Sequence, residues 1–195
     1  MTIQEGKSLI HWNYFIALEA DLEEISRYIE FTEDNFETYS IKLAQLLLAT
    51  SSEVDVISKG ICNYLDPESE ATNIRQYREI IMQKHPEFAN EQVFITRHGL
   101  QMQPWSNWNN NISPDWWQSY NNVKHNRNDF FNDANLEHVL NSISALLVSI
   151  FHYYRLEYLA QNPEITDRNV TRILLPESVL LRLSDAYYTG PSAAL

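Results

Sequence analysis

The chain has 195 residues, 44% of them hydrophobic, and a formal net charge of −12. That is about the length of one domain with ample material for a core, which excludes a disordered chain, and four glycines are too few for a turn-rich all-β fold. The acid is uneven, since residues 1–70 carry four Lys/Arg against fourteen Asp/Glu and residues 71–195 carry ten against twelve, so net charge alone disfavours nonspecific nucleic-acid binding and leaves only a local or two-subunit basic pocket.

Met1 to Lys7 has no positive region followed by an apolar core, so no secretion signal is expected. His11 to Phe31 reads as an amphipathic helix, with Trp12, Phe15, Ile16, Leu22, Ile25, Tyr28 and Ile29 at three- and four-residue steps. Thr32 to Asn35 carries turn chemistry. A long second helix runs from about Phe36 to Leu65, weakened at Gly60 and ended by Asp66-Pro67. The lone cysteine, Cys62, lies in an apolar helical context and reads as a buried inert thiol, which fits a reducing cytoplasm. Asn73 to Lys84 is a shorter helix closed by His85-Pro86.

The period then changes, and residues 92–104 alternate as a short β-hairpin does. A loop rich in Asn and Trp leads to a fourth helix. Its expected start is Ser113-Pro114-Asp115, with Ser113 capping, Pro114 at the first position and Asp115 favouring the positive helix end. A fifth helix, capped by Asn132 or Asp133, runs to about Ala160 and is apolar nearly all round at mid-length, which marks a central element. Its most apolar run, Ile143 to Phe151, is far shorter than the ~20 residues a bilayer requires, so no membrane span is expected. Val170 to Leu175 reads as a strand and Glu177 to Ala186 as a short helix or an extended tail. The expected fold is all-α: one domain over 1–195, an up-down bundle of four to five long helices with its core at 11–160, the hairpin near 92–104 and an appendage at 163–195.

The fourth helix concentrates the chemistry. Asn121, Lys124 and His125 are spaced to project over one surface, while Arg127 turns towards the Trp116/Tyr120/Val123 side. An imidazole exchanges protons near neutral pH and a neighbouring cation stabilises an oxyanion or a phosphate. The same side chains would equally serve as a structural network or as a noncatalytic ligand site. In the network reading they pair with Glu53 and Asp55, acids that interrupt the apolar second helix and are costly to bury unpaired. Trp105, Trp108, Trp116 and Trp117 either stack on bases or fill the bundle end beside the hairpin. His138 and His152 share a helix face but are too far apart for one ion, and no spacing fits zinc, a phosphate loop or a nucleophile elbow, so neither metal nor cofactor is expected. Glu23, Glu24 and Arg27 read as solvated charge pairing.

The segment Trp116-Trp117-x-x-Tyr120-Asn121-x-x-Lys124-His125-x-Arg127, with Ser52-Glu53-x-Asp55 and the helix order over 11–160, resembles the HEPN-like superfamily of prokaryotic helical bundles found in toxin–antitoxin and antiphage systems. Ribonuclease members of that superfamily carry an Arg followed four to six residues later by His and act as dimers without metal. Here His125 precedes Arg127. On the resemblance, His125 matches the motif histidine, Asn121 a polar neighbour, and Lys124 supplies the positive charge, with Arg127, Trp117, Tyr120, Glu53 and Asp55 as binding or network residues. It implies an RNA-directed protein, a metal-independent endoribonuclease or an RNA binder, working as a homodimer. The competing expectation, from the −12 charge and the missing Arg-before-His order, is a noncatalytic helical module that binds a protein partner.

Overall fold

The computed structural model describes residues 8–189, so the expectation for Met1 to Lys7 lies outside the described residues. The chain is mostly helical with a small antiparallel sheet. Seven helices occur among the described residues: α1 Ile10–Ile25, α2 Ile41–Leu65, α3 Ile74–Lys84, α4 Asp115–Phe130, α5 Leu136–Leu159, α6 Asp167–Ile173 and α7 Ala186–Thr189. The count exceeds the expected four to five because two short helices, α6 and α7, lie in the C-terminal part.

Helix starts follow local chemistry. The side chains of Ser40, Asn73 and Asn135 accept the backbone N–H of Leu43, Gln76 and His138, at 3.1, 3.2 and 3.0 Å. Each satisfies one of the free donors of a first helical turn. The Ser40 cap explains why α2 begins at Ile41 rather than near Phe36. Residues 33–35 form a separate single turn, and Tyr39 bridges to Asn135. The first helix likewise ends at Ile25, six residues short of expectation. Asn135 is the cap of α5, displacing the expected Asn132 or Asp133.

The centre is the packing of α2 on α5. Both helices bury long apolar stripes, including Leu43, Leu47, Val54, Ile57 and Ile61 of α2 and Leu140, Ile143, Leu147, Ile150 and Phe151 of α5. Thr50 and Ser142 hydrogen-bond across this buried interface at 2.7 Å. Gly60 is required by the contact: a Cβ there would lie 2.6 Å from the ring of Tyr153. Cys62 is buried as expected, and burial together with the nearby Asp66 carboxylate pushes its thiol up to about 11. Such a thiol stays protonated and inert at neutral pH. No helix of the described residues is long and apolar enough to cross a membrane.

The sheet is β1 Val93–Ile95, β2 Leu100–Met102 and β3 Arg182–Leu183, in the order β2-β1-β3. The first two form the expected hairpin, with Val93 opposite Met102, and Gly99 adopts a left-handed φ of 67° in the turn. The strand expected at Val170 to Leu175 is corrected. Thr166 and Asn169 form a reciprocal capping box that launches α6 through this segment. The strand comes later, where Val93 meets Leu183. That tail is anchored by Glu19 of α1, which is 1% exposed. Its carboxylate accepts the N–H groups of Val179, Leu180 and Leu181 at 3.1, 2.9 and 3.1 Å and the hydroxyl of Ser178.

Candidate functional site

The fourth helix opens differently from expectation. Pro114 itself is the N-cap, and the Ser113 side chain makes no capping bond. The tryptophans are buried among one another. The ring centroids of Trp105 and Trp108 are 4.3 Å apart, and Trp105 meets Trp116 edge-on at 5.3 Å. The Trp116 indole N–H donates to the Pro104 carbonyl at 2.8 Å, beside the hairpin. All four fill the core at this end, so they present no face for stacking on bases. Trp117 and Tyr120, 5.2 Å apart, are part of the same buried aromatic layer.

The polar cluster stands on the outer side of this layer. Lys124 and His125 are exposed, and Asn121 is half-buried. The Lys124 ammonium donates to the Tyr120 hydroxyl at 3.2 Å and lies 5.2 Å from that ring's centroid. The Asn121 amide donates back to the Trp117 carbonyl at 2.9 Å, which fixes its orientation and leaves its oxygen outward. His125 has neither a hydrogen bond nor an ion pair to another described residue. The helix then breaks at Asn126, where φ is −137° and ψ 45°. Arg127 follows the break, exposed, on the rim of a shallow groove of about 470 Å³ with Ile41, Ala44, Leu48 and Phe131. Three groups that are or can become cationic thus occur within four residues of an acidic chain. No described acid takes any of them.

Glu53 and Asp55 pair elsewhere, and the expected network with the fourth helix is corrected. Glu53 Oε1 lies 2.5 Å from His11 Nδ1 of α1. Asp55 accepts Lys59 Nζ at 2.6 Å and the Tyr77 hydroxyl of α3 at 2.9 Å. The physical reason is rotational. Two residues apart on a helix means about 200° of turn, so the acids cannot face one neighbour. One looks at α1, the other at α3. Burial and the Asp55 carboxylate push the Tyr77 phenol well above its ordinary range, so it remains a donor. His138 and His152 also serve different places. His138 Nδ1 meets the Asp133 carbonyl at 2.8 Å, and His152 Nε2 meets Glu91 Oε1 at 3.2 Å.

That second contact belongs to a cluster sequence reasoning missed. A cleft of about 210 Å³ is lined by His85, Glu91, His152, Arg155, Asp167 and Tyr187, among others. The Tyr187 hydroxyl donates to Glu91, and Arg155 pairs with Asp167 at 2.6 Å. The rings of His85 and His152 are 6.1 Å apart. Burial, then the neighbouring His152 and Arg155, lower the His85 pKa from its ordinary value. Burial and Glu91 raise that of Tyr187. The members are spread over a hundred positions on five segments, so no local motif marked them. Among the described residues no group of three or more His, Cys, Asp or Glu side chains is placed to hold a metal ion.

These observations define a mainly α protein with an exposed cationic helix end and a separate polar cleft. Comparison with known proteins finds no matching family model, no matching curated protein and no matching solved structure.

Proposed function

We propose that the chain is a HEPN-like, RNA-directed protein that acts as a homodimer, with Lys124, His125 and Arg127 facing RNA. The observation that carries the reading is the exposure of these three side chains, free of acidic partners among the described residues, in a chain of net charge −12. Phosphodiesters are what such a surface attracts. In metal-independent cleavage the His125 imidazole takes the proton of a 2′-hydroxyl, and that oxygen attacks the adjacent phosphorus. Lys124 stabilises the charge that gathers on the phosphoryl oxygens. The 5′-oxygen leaves with a proton, which the second imidazole of a dimer would supply. The Asn121 amide oxygen positions the nucleotide. Cytoplasmic toxin–antitoxin or antiphage defence is the setting the resemblance implies.

The test incubates the purified chain with mixed structured and single-stranded RNAs in EDTA. Cyclic-phosphate or 3′-phosphate ends are expected, and His125→Ala should lower the rate by ~10²–10⁴, the usual worth of a positioned acid or base. Cleavage that survives His125→Ala refutes the residue. A strictly monomeric mass at high micromolar concentration, by sedimentation, counts against the dimer. A second reading, a noncatalytic module for a protein partner, is favoured by the groove beside Arg127, whose walls include Ile41, Ala44, Leu48 and Phe131. Absence of cleavage across the RNA set, alone and with cell extract, would favour that reading over the first.

A further inference from the structure

The largest concentration of arginine in this molecule is far in sequence from the fourth helix. A cavity of about 370 Å³ lies between α6, the 174–183 tail and α5. Three arginines line it, Arg168 and Arg172 of α6 and Arg182 of β3, all exposed. The chain has nine arginines in all, so a third of them converge here. Among the described residues the only carboxylate in the lining is that of Glu177. None of the lining residues comes from α4.

Among the described residues nothing neutralises the two arginines of α6. Arg168 and Arg172 are four residues apart on one helix face, where like charges repel. Neither guanidinium has a hydrogen bond or ion pair to another described residue. The nearest acid in sequence, Asp167, lines the other cleft and is paired with Arg155. Among the described residues only Arg182 finds partners: it meets Asp185 at 3.2 Å and lies over the Tyr188 ring at 4.0 Å. That stacking holds its plane in place at the cavity wall. Leu174 and Leu180 supply apolar surface, and the Thr171 hydroxyl is engaged with backbone carbonyls.

We infer that this cavity binds an organic phosphate of about mononucleotide size, its phosphate held by Arg168, Arg172 and Arg182 and its body against the leucines. Guanidinium forks match phosphate oxygens two at a time, which ammonium groups do not. The volume falls within the range of small-ligand sites rather than of flat nucleic-acid surfaces. An occupied site removes the repulsion between the two α6 arginines. The site is independent of the RNA-facing reading of α4.

The experiment is isothermal titration of the full chain with AMP, adenosine and inorganic phosphate at low salt. AMP should bind with Kd at or below ~1 mM, a modest affinity typical of an unoptimised probe. Adenosine and inorganic phosphate should each bind at least about tenfold more weakly, since each lacks half of the recognised chemistry. The Arg168→Ala/Arg172→Ala double variant should lose about tenfold or more in AMP affinity with an unchanged melting curve, because both residues are exposed. Should that variant fold poorly, Arg168→Lys/Arg172→Lys keeps the charge, removes the forks, and should still weaken AMP. Lys124→Ala/His125→Ala should bind AMP as the parent does. Absence of AMP binding, adenosine binding as tight as AMP, or AMP binding indifferent to the α6 variants would overturn the proposal. Loss of AMP binding in the α4 variant alone would move the site to the fourth helix and equally overturn it.

Discussion

His85 caps the C-terminal end of α3 with its ring facing His152 across the polar cleft. Burial, and then the charges of His152 and Arg155, hold its pKa below the ordinary 6.5. The unfolded chain therefore takes up this proton at higher pH than the fold does. Between the two values the unfolded state binds more protons, so stability rises with pH in that window. The fold should weaken as pH falls through about 6.5, and the loss should level off below the folded pKa. His85→Asn should flatten that part of the profile, whatever His152 and Glu91 contribute to the rest. Urea unfolding of both proteins between about pH 7.5 and about pH 5.5 checks it, and an equal slope in the variant sinks the assignment. At this scale the sequence was legible where spacing alone decides. The spacing of Asn121, Lys124 and His125 places them over one surface, and in the fold Lys124 and His125 are exposed with Asn121 at the margin. The partners of Glu53 and Asp55 were not legible, because a partner depends on which helix packs at each side of α2.

Gly60 shows how a helix contact can override helix propensity. Propensity alone makes Ala better than Gly by about 1 kcal/mol in a helix interior. The contact reverses that, since the added methyl would meet the Tyr153 ring, itself packed edge-on against His11, Tyr64 and Tyr154. Gly60→Ala should destabilise the protein by ~1–2 kcal/mol through overpacking. In a Tyr153→Ala background the same change should become stabilising. Thermal or urea unfolding of the four proteins reads both signs, and destabilisation that persists without the tyrosine ring would refute the account. The long helices were legible because their apolar stripes repeat over several turns. Their ends were less so: the stretch before Ser40 is apolar enough to extend α2 on paper, yet the Ser40 cap starts the helix later. The two-residue strand β3 could not be read, since its partner Val93 lies ninety positions away.

Across the whole molecule, one buried carboxylate ties the first helix to the far end of the described chain. Glu19 belongs to the acidic first third, yet it is buried and accepts from three backbone donors of the tail. Glu19→Ala removes the acceptor of the Val179 and Leu180 N–H groups and leaves the Leu181 N–H only the Ser178 hydroxyl oxygen, at a cost on the order of 3 kcal/mol. Hydrogen exchange at Val179, Leu180 and Leu181 should quicken accordingly, and unchanged protection there would show that the clasp is not what holds the tail. Because β3 and the arginine-lined cavity belong to that tail, its release would also open the cavity wall. The clasp also has a timetable. Its acceptor is made 160 to 162 positions before its donors. At the ~5–20 residues per second of translation, α1 waits roughly 8–30 s before the amides exist that its carboxylate is built to receive. Through that interval the Glu19 carboxylate has only water for the place these amides will take, so the clasp is among the last contacts of this protein to form.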